Sequence, residues 1–349
     1  MRIAIDISPR LNDHKYRGIG IYTKLLIEAL QKYEGKHTVE LIDNKSINVD
    51  SVDIIHYPFF DPFFLTLPLH KLLPTIVTVH DLIPIVFPDK FSRGIRGEIK
   101  WMVQKYSLQT SSAIITDSEN SKNDINQKTG YPKKNISVIQ LAQAPFFVPL
   151  QSPRVISKYS LPNSYLLYVG DVNWNKNVTG LFYAFAKVKK ISKFKNLHLV
   201  LVGSAFLNDN LPESRHLHQI AKQLDIKDSV IELGLAEDDD LATIYSHAYA
   251  TIVPSYYEGF GLPLLEAMAC GCPVVVSGNS SLIEIAGPSI LINPYDREDI
   301  TRGIIKVMEL TQDEYKKLSN ASIQWSKKFS WKSVARQTVE VYESVLYAA

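Results

Sequence analysis

Short apolar runs alternate with longer amphipathic stretches along the whole of this 349-residue chain. In the first half, the runs at 3–7, 39–42, 54–57, 75–79, 113–116 and 136–139 predict strands. Helical patterns lie between several of them, as at 20–33, where Leu25, Leu26, Ala29 and Leu30 share a face. Residues 140–163 break this rhythm: Pro145, Pro149, Pro153 and Pro162 stud a stretch without helical period, which predicts a linker. The alternation restarts at 165–170, continues through 197–203, 230–233, 250–253, 274–277 and 289–292, and ends in helices. Strand–helix alternation of this kind is the mark of parallel sheets in α/β proteins. It predicts two doubly wound, Rossmann-like domains, one at 1–150 and one at 151–330. A C-terminal helix over 331–349 is expected to pack back toward the first domain. Open α/β sheets bind ligands beyond the carboxyl ends of their strands, so the site is expected in a cleft where the two domains face one another.

Composition narrows the function. With 46% hydrophobic and 21% charged residues the chain is neither disordered, collagenous nor coiled-coil. Its 38 basic and 36 acidic residues leave a formal charge of +2, too balanced for a surface built to grip nucleic acid, and no such partner is expected. Cys270 and Cys272 cannot form a disulfide framework, and a zinc site would lack ligands. They are expected to pack as small residues in a reducing compartment. No window holds the ~20 apolar residues that span a bilayer. Residues 1–6 already read as a strand, with no apolar leader pattern. The expectation is a cytoplasmic protein, at most peripheral at the inner face of the membrane.

Four segments carry candidate chemistry. Gly18-Ile19-Gly20 opens the first long helix, and Asp43 ends the second strand, as in a dinucleotide fingerprint. Thr23 in the third glycine position, and the ten or so residues between strand and glycines, oppose that reading. A loop needing glycine torsions, or one admitting a phosphate or sugar to helix amides, remains. The second segment is Thr78-Val79-His80-Asp81-Leu82-Ile83-Pro84, where a strand delivers an imidazole and a carboxylate at its functional end. A satisfied turn is the plainer alternative.

The third segment runs from Pro254 to Met268. A glycine-containing turn opens a helix near Gly261, so amides from Phe260 onward can hold phosphate or sugar oxygens. Glu258 precedes the helix and Glu266 lies in its second turn. Carboxylates suit sugar and ribose diols because each accepts two hydroxyl hydrogen bonds. The fourth segment places Lys176 on a loop after the first strand of the second half, where an ammonium can neutralise a diphosphate leaving group without a metal. Taken alone it would be a surface lysine.

Together these segments resemble the retaining, GT-B-fold glycosyltransferases of family 4, the glycosyl transferases group 1, over almost the whole chain. The likeness begins at Arg17-Gly18-Ile19-Gly20, includes His80-Asp81-Leu82-Ile83-Pro84 and Asp117-Ser118-Glu119, and takes in Val169-Gly170 and Lys176-Asn177. Its most specific part is Glu258–Glu266 running on through Cys270-Gly271-Cys272-Pro273, followed by Glu284-Ile285-Ala286-Gly287 and Phe329-Ser330-Trp331. The resemblance implies that Glu258 and His80 contact the transferred sugar, and that Glu266 holds the nucleotide ribose. It also implies that the Phe260, Gly261 and Leu262 amides hold sugar and phosphate oxygens, that Lys176 binds the diphosphate, and that Gly18 and Gly20 line the cleft. No cofactor and no metal are implied. The family usually carries an arginine where this chain has Asn175 or Asp171. Charge neutralisation would then rest on Lys176, helix amides and another base such as Arg17.

The implied reaction moves a hexose from a nucleotide-sugar donor to a glycan or lipid-linked acceptor. The context of His80 and Gly18 is similar to mannosyltransferases that use GDP-mannose. UDP-hexose or dTDP-rhamnose donors stay open, as do a GT-B sugar-nucleotide epimerase and a non-catalytic glycan binder. One further stretch, 90–101, sets Arg93, Arg96 and Lys100 opposite Ile95, Ile99, Met102 and Tyr106. The pattern predicts a solvated basic face over a core stripe. Its alternative is a basic face greeting a lipid-diphosphate acceptor or an anionic leaflet, a peripheral membrane contact.

Overall fold

The computed structural model describes residues 1–11, 18–43 and 51–347. Arg17, suggested by the sequence as an auxiliary base, lies outside them. The chain divides into two compact units, 1–142 with 329–349 and 143–328.

The first unit holds a six-stranded parallel sheet in the order β2-β1-β3-β4-β5-β6. Its strands are β1 Arg2–Asp6, β2 Thr38–Ile42, β3 Ile54–Tyr57, β4 Thr75–Thr78, β5 Ala113–Thr116 and β6 Ile136–Val138. The central strands β3, β4 and β5 are buried at every position, which is why they read as unbroken apolar runs. Helix Trp331–Tyr347 belongs to this unit and packs on helix Gly18–Tyr33.

The second unit holds another parallel sheet, β12-β11-β10-β7-β8-β9. Here the strands are β7 Tyr165–Val169, β8 His198–Val202, β9 Val230–Glu232, β10 Ala250–Val253, β11 Val274–Ser277 and β12 Ile290–Ile292. From β7 the chain adds β8 and β9 on one side, then returns and adds β10, β11 and β12 on the other. That is the Rossmann order, whose direction reverses between β7 and β10. The core beneath it is built on Leu166, Leu199, Leu201, Ile252 and Val275, covered by Leu181, Phe182 and Phe185 of helix Val178–Lys189.

Three expectations need correction. The proline-studded stretch contains a helix, Pro153–Lys158, because Ser152 caps it from Val155 N and Pro153 occupies a first-turn position that needs no amide donor. Neither Gly18 nor Gly20 takes a positive φ; both lie in the first turn of helix Gly18–Tyr33, so glycine torsions do not explain them. Helix Gly94–Gln109 is turned the other way from the predicted orientation. Gly97, Trp101, Gln104, Ser107 and Leu108 are its buried face, and Ile95, Ile99, Met102 and Tyr106 are exposed. Polar Gln104 and Ser107 are buried because loop 61–71 supplies their partners: Thr66 and Leu67 amides donate to Gln104 Oε1, and Ser107 Oγ donates to the Pro68 carbonyl.

Candidate active site

In the second unit the loops after β7 and β10 meet at the point where strand order reverses. The β7 loop runs through Asp171 to a short 3-10 turn, Trp174–Lys176. Asn175, buried in that turn, donates its Nδ2 to the Tyr257 carbonyl at 2.9 Å and accepts from Tyr256 N at 2.7 Å. The residue standing in place of a family arginine is thus a strut between the two loops. Asp171 turns back on its own chain, accepting from Val172 N. Asn177 then caps helix Val178–Lys189 from Gly180 N and ties down the Pro254 and Pro294 carbonyls.

This bracing delivers Lys176 to Glu258. The ammonium Nζ donates to both Glu258 oxygens at 2.8 Å, and Ser255 Oγ donates to Oε1 at 2.7 Å. The Glu258 amide donates to Ser280 Oγ, while Ser281 Oγ donates to the Glu258 and Phe260 carbonyls. Glu258 is buried, so its charge is balanced locally rather than by water.

Helix Leu262–Ala269 starts immediately afterwards. Its cap residue Gly261 has φ 114°, a left-handed value, and no side chain caps the helix. The Phe260, Gly261 and Leu262 amides find no acceptor among the described residues, and Pro263 has no amide to satisfy. Glu266 accepts a hydrogen bond from the Tyr245 hydroxyl at 2.9 Å. Burial, followed by the nearby Glu266 carboxylate, pushes the Tyr245 phenol well above its usual range, so it stays a donor. Cys270 and Cys272 are buried and unlinked. Burial pushes the Cys272 thiol up to about 12 and Cys270 higher still, which leaves both inert.

The first unit presents a second cluster. β4 and β5 run in register with Thr78 beside Ile115, and continuing that register past the strand ends sets His80 beside Asp117. His80 Nδ1 lies 2.7 Å from Asp117 Oδ2. Burial works against the imidazolium, but the Asp117 charge and hydrogen bond, aided by Asp81, outweigh it and raise the His80 pKa above 6.5. The Pro58 carbonyl also favours the charged ring, yet buried Nε2 makes no well-formed hydrogen bond among the described residues. Tyr22 packs edge-on against the ring at 4.7 Å, and its hydroxyl lies 3.1 Å from Thr78 Oγ1. Thr78 Oγ1 also lies 2.8 Å from Nε2 of His56, whose Nδ1 lies 2.6 Å from the Tyr342 hydroxyl. Burial drives the His56 pKa down to about 3, so this ring is neutral.

Sequence reasoning missed the partners: Asp117 for His80, Ser255 for Glu258 and Tyr245 for Glu266. Asp117 was visible as a motif residue without a role. The others had no signal in spacing, because sheet register and loop packing create them.

Residues 155–325 match the family model for glycosyl transferases group 1, and residues 39–142 match that for glycosyltransferase family 4. The chain is 31% identical over 300 residues to the O-antigen chain mannosyltransferase B of Escherichia coli, covering 83% of this chain and 75% of that protein. It is 23% identical to the serotype-specific mannosyltransferase WbdA of the same species along its full length, spanning 49% of that longer protein. Among solved structures, sucrose-phosphate synthase from Thermosynechococcus elongatus superposes with a TM-score of 0.77 at 20% identity, covering 100% of both chains.

Proposed function

Because the chain belongs to family 4 of the glycosyltransferases and has their GT-B fold of two Rossmann-like domains, we propose that it transfers a hexose, with mannose from GDP-mannose favoured, to a hydroxyl of a glycan or lipid-linked acceptor. The observation that carries this reading is the Lys176–Glu258 pair at the strand-order reversal of the second unit, beside the open start of helix Leu262–Ala269. A nucleoside diphosphate leaving group needs positive charge, and that corner offers an ammonium, unpaired amides and a helix dipole. The relatives named as mannosyltransferases support mannose as the sugar.

The acceptor hydroxyl attacks the anomeric carbon from the face the diphosphate leaves, through an oxocarbenium-like state, and configuration is retained. Lys176 and the Phe260–Leu262 amides take up the charge of the departing phosphate, with no divalent ion required. Glu258 accepts from hydroxyls of the transferred sugar and Glu266 from the ribose. His80 offers Nε2 to a sugar hydroxyl. The acceptor oxygen's proton passes to the leaving phosphate, which balances the exchange of one C–O bond for another.

Incubation with GDP-mannose, UDP-glucose or dTDP-rhamnose and a mannoside acceptor, with and without EDTA, tests the reading. Transfer from GDP-mannose, undiminished by EDTA and abolished by Glu258→Ala, is the expected result. Conversion of the donor without acceptor would instead indicate an epimerase, and a manganese requirement would overturn the metal-independent chemistry.

A further inference from the structure

Helix Gly94–Gln109 carries large apolar side chains on two opposite faces. One face, centred on Trp101 and Leu108, is buried. On the other, Ile95, Ile99, Met102 and Tyr106 follow one another at spacings of four, three and four, so they form a single stripe down the helix. Each is at least half exposed, Ile95 at 83%. Loop 61–71 lies alongside: the Lys100 ammonium sits over the Phe64 ring at 5.1 Å, and Phe63 approaches Gly97. That loop and the residue after it expose Phe64, Leu65, Leu69 and Leu72. The helix stripe and the loop beside it thus each expose four large apolar side chains, where isolated exposure would be ordinary and such a run is not.

The same region is strongly basic. Residues 90–106 carry five cationic side chains, Lys90, Arg93, Arg96, Lys100 and Lys105, against one carboxylate, Glu98, which is paired with Arg93. The whole chain has a charge of only +2, so the excess is local. The centre of a protein–protein interface is depleted of lysine, and a symmetric contact with a second copy would press these cations against their own counterparts. An anionic bilayer satisfies both halves of the surface. Apolar side chains enter the acyl boundary, a tyrosine sits at headgroup level, and lysine and arginine meet phosphate.

We propose that helix Gly94–Gln109 and loop 61–72 form a membrane-docking surface that lays this protein on anionic phospholipid. The helix lies in the plane of the interface and does not cross it. None of the helices among the described residues is long and apolar enough to cross a membrane. The inference is independent of which sugar is transferred, because it is read without donor or acceptor.

The test is flotation of the full chain with vesicles of phosphatidylcholine alone and with vesicles in which one third of the lipid is phosphatidylglycerol. The wild type is expected to float with the anionic vesicles and to be released by salt. Ile95→Ser/Ile99→Ser/Met102→Ser removes no core contact and abolishes flotation with an unchanged melting temperature. Arg96→Gln/Lys100→Gln weakens partition to the anionic vesicles roughly 25-fold, from about fivefold per cation. A wild type that stays with the pellet at low salt, or a serine variant that floats like the wild type, overturns the proposal. So does a serine variant that turns a dimer into a monomer while flotation is unaltered, which would make the stripe an interface between copies.

Discussion

Lys176 Nζ donates to both carboxylate oxygens of Glu258, with 2.8 Å to each. The two residues are 82 positions apart and come from loops that follow adjacent strands, so the pair exists only once the second sheet has formed. Lys176→Ala should lower kcat by roughly 10²–10³, the scale for one preorganised donor to a developing charge. Steady-state rates at saturating donor check this. A wild-type kcat would remove Lys176 from the chemistry and leave it as a structural partner of Glu258.

Asp117 acts through His80. Its carboxylate takes the Nδ1 hydrogen, so Nε2 presents a lone pair on the neutral ring and an N–H on the charged one. With the His80 pKa raised, the folded protein holds a proton that the unfolded chain releases near pH 6.5. The pair's stabilisation is therefore complete below that value and is lost as pH climbs through the raised folded value. Asp117→Asn should move the His80 titration, followed by NMR of its ring proton, to lower pH and shift the pH profile of kcat with it. An unmoved titration would show that burial, not Asp117, sets the ring.

The His56 network has the opposite sign. His56 refuses a proton down to about pH 3, while the unfolded chain takes one up near 6.5, so stability should fall on acidification through that interval. Tyr342→Phe leaves His56 Nδ1 without its 2.6 Å partner in a fully buried site and should cost about 1–3 kcal/mol. Denaturant titrations of the variant and the wild type measure both effects.

Gly261 is required by its backbone. A Cβ there would sit 2.5 Å from Leu282 Cδ2, on a residue whose φ of 114° L side chains rarely adopt. Gly261→Ala should destabilise by about 1–3 kcal/mol. It should also raise the KM for donor, because it displaces the amides at the start of helix Leu262–Ala269. Thermal melts and donor titrations separate the two consequences. A variant with native stability and KM would show that the loop can relax.

Tyr245 holds Glu266 by one hydrogen bond of 2.9 Å. Tyr245→Phe should weaken donor binding about tenfold, the scale of a hydrogen bond to a charged group, and change kcat little. Equal losses in both parameters would place Glu266 in the transition state rather than in donor binding.

The twelve strands among the described residues were all legible in the sequence to within a residue or two at each end. A parallel strand covered on both faces must be a short apolar run, and the chain has few other such runs. The Glu258–Glu266 turn and helix could be read for the same local reason: a strand end, a glycine and an open helix start fall within a dozen residues. Helix Gly94–Gln109 could be read as a helix but not as to its orientation. Periodicity reveals that an apolar stripe exists, and only packing decides whether the stripe or the polar residues beside it go inward. Here loop 61–71 satisfied Gln104 and Ser107, and Ile95, Ile99, Met102 and Tyr106 were left outside.

By itself, then, the sequence determined two Rossmann-like sheets, a phosphate-suited helix start with its two glutamates, and the family to which such a pattern belongs. Tertiary structure alone decided that Lys176 meets Glu258, that Asp117 orients His80, and that Tyr342 reaches His56 from 286 residues away. Apolar periodicity is a property of neighbours along the chain and survives in one dimension. A hydrogen bond between loops depends on strand order and register, which are set only when separate segments share a sheet.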